Sequence, residues 1–209
     1  MEHLSDWLQT FSAIFAIVDP FGYIPLFISM TANDSPTRQR QMLRRASLTA
    51  FFVLTLFTLM GNKILHLFGI TIPAVQISGG LILLVIGFEM LKVLSVEEKI
   101  SKTEEVEGVE RDDISIIPLA IPMLSGPASI ATVIVLSSKG GAYQYVNIIT
   151  SIMATLGITY VILRSAGKIL KVIGLTGVKV LTRIMGFLLC AMAVQFIING
   201  YLAISAMKP

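Results

Sequence analysis

One acid stands alone in a long apolar run. Asp19 lies within Trp7–Met30, followed at once by Pro20 and, two residues later, Gly22. A carboxylate at membrane depth costs about 2.5–3.5 kcal/mol on insertion scales, so it needs a use. Proline removes a backbone donor and glycine loosens a helix. A second cluster, Ser125-Gly126-Pro127-Ala128-Ser129, follows Pro122 in the second half of the chain. Paired breaks of this kind free backbone carbonyls and amides, which persist at that depth only where protein or a water-lined cavity satisfies them. Half-helix N-termini favour a carboxylate, while a side-chain acid and freed carbonyls favour an ammonium. The two poles suit a small zwitterion, and a proton or a cation can use the same groups. Asp19 therefore has three readings: amine partner, carrier of a coupling proton, or cap of the helix break.

The elements that must hold these groups are membrane helices. The chain has 209 residues, 55% hydrophobic and only 14% charged. No charged residue or histidine occurs in 46–62, 73–88, 114–138, 140–163 or 184–207. With their flanks these runs approach the ~20 residues that cross ~30 Å of hydrocarbon. Continuous rather than alternating runs predict helices, not barrel strands. Six spans follow, at 8–30, 46–68, 72–91, 114–136, 144–164 and 182–204. Glu2 and Asp6 make the N-terminus acidic, so the first run reads as a retained span rather than a cleaved signal. With the N-terminus outside, thirteen of the sixteen Lys and Arg residues fall on the cytoplasmic side. The positive-inside rule thus predicts a cell-membrane protein with both termini extracytoplasmic.

A charged segment at 96–113 separates a first three-span unit, 1–95, from a second, 114–209. The units look alike. Lys63-Ile64-Leu65, Gly69 and Thr71 match Lys168-Ile169-Leu170, Gly174 and Thr176, and Asp19-Pro20 falls on Gly126-Pro127. Two repeats with an odd number of spans must lie in opposite orientations, which is the plan of many secondary transporters. The predicted fold is all-α, with six transmembrane helices as two inverted three-helix repeats and a break in the first helix of each.

Other features are weaker. Ser78-Gly79-Gly80 and Gly87 give the third span a smooth face suited to close packing, within or between protomers, or to lining a site. Gln195 and Asn199, one turn apart, need polar partners and are expected to face protein or a pathway. The lone Cys190 lacks metal-ligand spacing, and no cofactor is implied. An intramembrane aspartyl protease needs two deep acids, a serine protease needs a base, and a nucleotide-driven pump needs a phosphate loop. None of these patterns appears, and no nucleic-acid partner is expected.

Three stretches resemble the MarC family of membrane proteins. They are Phe15–Phe27 around Asp19, Gln76–Gly87 in the third span, and Ile117–Thr132 around Gly126. The likeness runs through essentially the whole chain. Where many members read Gly-Pro-Gly, this chain has Gly126-Pro127-Ala128, which narrows or stiffens the second break. The resemblance implies a six-helix membrane protein distantly related to LysE-type exporters, some members being described as transporters of glycine and alanine. It places the substrate site at Asp19, Pro20, Gly22, Ser125, Gly126, Pro127 and Ser129, with Ser78 and Gly79 beside them. The expected activity is export or exchange of small neutral amino acids by alternating access, coupled to a proton or cation. A channel, another small-solute or drug efflux protein, and a non-transporting scaffold are the alternatives.

Overall fold

The structure, a computed structural model, describes residues 2–32, 34–91, 124–138 and 140–206. The charged linker 96–113, and residues 114–123 of the fourth expected span with Pro122, lie outside the described residues. Among those described there are seven helices and no strand: α1 (Glu2–Val18), α2 (Tyr23–Met30), α3 (Pro36–Leu67), α4 (Ile72–Leu91), α5 (Pro127–Ser137), α6 (Ala142–Arg164) and α7 (Ala166–Ala206). Helices α3, α4, α6 and α7 are each long and apolar enough to cross a membrane. Helices α1 and α2 qualify together as one span bent by 47°. The chain is a multi-pass membrane protein.

Local chemistry sets the ends. Helix α3 starts ten residues before its charge-free run because Ser35 caps it, accepting from the Arg38 N–H at 3.3 Å, and Pro36 supplies the first helical residue. Its polar first turns carry Arg38, Arg40, Arg44 and Arg45 beyond the apolar segment. Helix α7 is interrupted at Gly174, whose φ of 67° no other residue type adopts cheaply. Gly69, in the turn between α3 and α4, has φ of 66°. The two glycines matched in the sequence thus share a positive φ.

Polarity is distributed for lipid. Phe52, Leu59, Val85, Met153, Val161 and Phe187 are exposed on the outer faces. Thr58, Thr132, Asn147, Ser151, Thr155 and Thr159 are buried. A water-soluble protein would reverse this arrangement, whereas helices in hydrocarbon associate through close packing and buried polar groups.

The closest packing joins α4 and α7. A Cβ on Gly80 would lie 2.7 Å from Ile197 Cγ1 and 2.8 Å from the Ala193 carbonyl oxygen. A Cβ on Gly186 would meet Met90 at 2.7 Å, and one on Gly200 would meet the Pro73 carbonyl at 2.9 Å. The smooth face of the third span is therefore a helix-packing surface. Backbone atoms cannot swing aside as a side-chain tip can, so Gly80→Ala is expected to cost about 1–3 kcal/mol through overpacking. Gly167→Ala, where nothing lies within 4 Å, should be neutral. Thermal unfolding in detergent, with both variants beside the parent, checks this.

Candidate functional site

The first break begins as a helix end. The Asp19 N–H makes the last α-type bond, to the Phe15 carbonyl at 3.0 Å, and its φ of 41° then turns the chain. Aspartate tolerates that left-handed conformation better than most residues. Pro20 cannot donate a bond, and the Ile24 N–H reaches the Phe21 carbonyl at 3.2 Å as α2 begins. The Asp19 carboxylate accepts the Gly22 N–H. It thus caps the turn, as one of the three readings expected. The cap leaves Asp19 Oδ1 buried and, among the described residues, without a hydrogen-bond partner, on a residue only 6% exposed. Capping and chemistry divide the carboxylate between them.

The second break differs. Gly126 is extended (φ −66°, ψ 174°), Pro127 occupies the first turn of α5, and no side chain caps this N-terminus. The Ile130 N–H returns to the Gly126 carbonyl at 3.0 Å. Ser125, Ala128 and Ser129 are buried. The chain therefore opens a helix here with a bare, positively polarised end.

Both breaks sit in one interior. Val18 and Ile24, flanking Asp19, share a buried cluster with Leu124. Ile17 shares a second cluster with Ala128, Leu83, Leu189 and Ala193. Asp19, Pro20, Ser125, Gly126 and Ser129 are buried, and Gly22 is partly so. Two residues of the expected set are exposed: Pro127, in the first turn of α5, and Ser78. Ser78 donates back to the Val75 carbonyl at 3.3 Å, and a Cβ on its neighbour Gly79 would sit 3.0 Å from Ala131 Cβ. Packing of the glycine face turns Ser78 outward. Gln195 and Asn199 are exposed too, and satisfy each other through a 2.8 Å bond from Nε2 to Oδ1. They border a groove of about 650 Å³ between α1 and α7.

The sequence reading missed a buried polar row on α6. Asn147, Ser151, Thr155 and Thr159 recur every fourth residue and are at most 4% exposed. Asn147 Nδ2 donates to Thr10 Oγ1 of α1 at 3.4 Å, whereas Asn147 Oδ1, Ser151 Oγ and Thr155 Oγ1 have no partner. The signal was a four-residue period of polar side chains inside a charge-free span.

A family profile described as MarC family integral membrane protein matches residues 4–205. The chain belongs to the MarC family. Its relatives include a UPF0056 membrane protein of Methanocaldococcus jannaschii, 39% identical over 94% of this chain and 96% of its own length. UPF0056 membrane protein YhcE of Escherichia coli is 33% identical over 93% and 91%. UPF0056 membrane protein YvbG of Bacillus subtilis is 32% identical over 92% of both chains. These names give membrane location and no activity. No solved structure matches this MarC chain.

Proposed function

We propose that this MarC-family protein is a non-enzymatic transporter of small neutral amino acids, glycine and alanine first among them, acting as an exporter or exchanger. One observation carries the reading. A broken helix and a helix start meet in one buried interior, the first bringing a carboxylate oxygen without a hydrogen-bond partner among the described residues and the second an N-terminus without a side-chain cap. The oxygen is the pole for an ammonium group. The amides of Ala128 and Ser129, with the Ser125 and Ser129 side chains beside them, are the pole for a carboxylate. The second break, 124–129, carries no charged residue, which suits a small zwitterion rather than a cationic amino acid.

The mechanism proposed is alternating access by six spans in two inverted repeats, α5 belonging to the fourth. The packing supports this plan. Helix α3 lies on α6, α4 on α7 and α1 on α5, each on its repeat mate, and α1 also packs along α6 as α5 packs along α3. Repeat mates in an inverted pair lie on opposite sides of the membrane. Lys63 and Lys168, both exposed, are such a pair. In a Cys190→Ser background, Lys63→Cys is expected to react with an impermeant maleimide added to intact cells, and Lys168→Cys only after permeabilisation. Labelling of both from one side would contradict the inverted arrangement and the outward termini.

The two-pole site is tested by ligand-dependent thermal stability of the purified protein. Glycine should raise Tm saturably, as any ligand of the folded state does. Acetate and methylamine, each carrying one pole, should not at equal concentration. An equal response to all three, or none to glycine and alanine, would overturn the two-pole reading.

A further inference from the structure

The unpartnered oxygens of α6 point to a ligand of their own. Ser151 and Thr155 are 0% exposed, one helical turn apart, and their hydroxyls make no hydrogen bond among the described residues. Thr55 Oγ1 of α3, on a partly buried residue, is the other buried hydroxyl left open among the described residues. Thr58, Thr132 and Thr159 each return the hydroxyl to the carbonyl four residues back, at 2.7, 2.8 and 2.8 Å. Such back-bonding is the ordinary way to satisfy a threonine inside a helix. Ser151 and Thr155 leave theirs open, although a buried hydroxyl without a partner costs about 1–3 kcal/mol.

Their place in the fold is set by α1. Helices α1 and α6 run in the same direction, with the His3 and Tyr143 rings 4.7 Å apart and Thr10 hydrogen-bonded to Asn147 further along. Thr155 continues the Asn147 face two turns on, and Asp19 ends α1. At about 1.5 Å per residue, both lie some 12–14 Å beyond the Thr10–Asn147 bond, so they reach the same level. Ile14 and Val18, from the intervening part of α1, share a buried cluster with Ile148, Ile152 and Leu156 of α6. The open carboxylate oxygen and the Thr155 hydroxyl therefore come from adjoining helices at one depth, with the Ser151 hydroxyl one turn nearer the Thr10–Asn147 bond.

The chemistry of the set is uniform: oxygen atoms only, with a single negative charge. Lys, Arg and His are all missing from 7–30, 46–62 and 140–163, the spans that surround it. A buried carboxylate with no cation in these spans calls for one positive charge from outside them, and hard oxygen donors suit a hard cation. We infer that Asp19 Oδ1, Ser151 Oγ and Thr155 Oγ1 form a binding site for a sodium ion. The inference depends on the transporter reading only in making that ion the coupling ion. There it has a consequence. One carboxylate oxygen serves one cation at a time, so sodium and the solute's ammonium alternate at Asp19, which is the logic of exchange rather than co-transport.

The test needs no amino acid. Purified protein is unfolded thermally while NaCl replaces choline chloride at constant ionic strength. The expected result is a saturable rise in Tm with sodium, absent in S151A/T155V and in Asp19→Asn, and kept in Thr155→Ser, which retains the hydroxyl. If the double variant does not fold, Thr155→Val alone is compared with Thr155→Ser. A parent protein indifferent to sodium, or a sodium response that survives loss of the hydroxyls, would overturn the site. Glycine is absent throughout, so failure here and failure of amino-acid exchange are separate results.

Discussion

Asp19→Asn is expected to abolish amino-acid exchange and leave the protein folded. Asparagine is the substitution that separates the two duties of this residue. Its amide oxygen can still accept the Gly22 N–H, and asparagine adopts the left-handed conformation that the φ of 41° demands. What it removes is the charge at the buried, unpartnered Oδ1. Deleting one member of a buried charge pair costs about 2–5 kcal/mol, or roughly 30- to several-thousand-fold in affinity for the partner. Stability should hold or rise, because an uncompensated buried charge has been neutralised. Asp19→Ala is the contrasting variant. It loses the cap, worth ~1 kcal/mol, and meets a further ~1–2 kcal/mol for the left-handed backbone. Exchange rates and Tm measured on all three proteins check the pair. Parent-like exchange by Asp19→Asn would reduce the residue to a cap.

Gly22→Ala is expected to impair exchange by on the order of a hundredfold, the penalty for misplacing a functional group by about 1 Å. The backbone gives no reason for harm. Gly22 is helical (φ −62°, ψ −28°), and alanine is the better helix former by ~1 kcal/mol. The obstacle is the carboxylate itself. A Cβ at this position overlaps Asp19 Oδ2 and sits 3.0 Å from its Cγ, so the acid must rotate away and release its cap. Loss of exchange with an unchanged or raised Tm is the expected signature. Gly157→Ala, in α6 with nothing within 4 Å of the added methyl, is the control and should alter neither. Full activity in Gly22→Ala would mean that the position of the carboxylate is immaterial.

Much of the frame was readable in the residues, for identifiable reasons. The charge-free run with its flanks placed the third span at 72–91, where α4 lies. Pro20 and Gly22 beside Asp19 marked the first break, and Gly69 and Gly174, matched in the sequence, both have a positive φ. Where a single residue type has a single mechanical effect, the local signal survives folding. Rotation about a helix axis was harder to read. Helix α4 is apolar on nearly every side, so nothing local states which face turns inward. The tight approach to α7 at Gly80 and Gly87 decides it and sends Ser78 outward. Gln195 and Asn199 were expected to seek protein, but at one-turn spacing they satisfy each other and can stay exposed. The α6 row escaped notice because serine and threonine commonly bond their own helix backbone. Only the structure distinguishes Thr159, which does so, from Ser151 and Thr155, which do not.

The central claim, that the two breaks carry a small zwitterion across the membrane, is tested most directly by counterflow. Purified protein is reconstituted into liposomes loaded with unlabelled glycine or alanine and diluted into a trace of the labelled amino acid. The account predicts transient, saturable uptake of label, seen only with solute inside and lost in Asp19→Asn. Uptake no greater than that of protein-free liposomes, across glycine, alanine and the other small neutral amino acids, would contradict it.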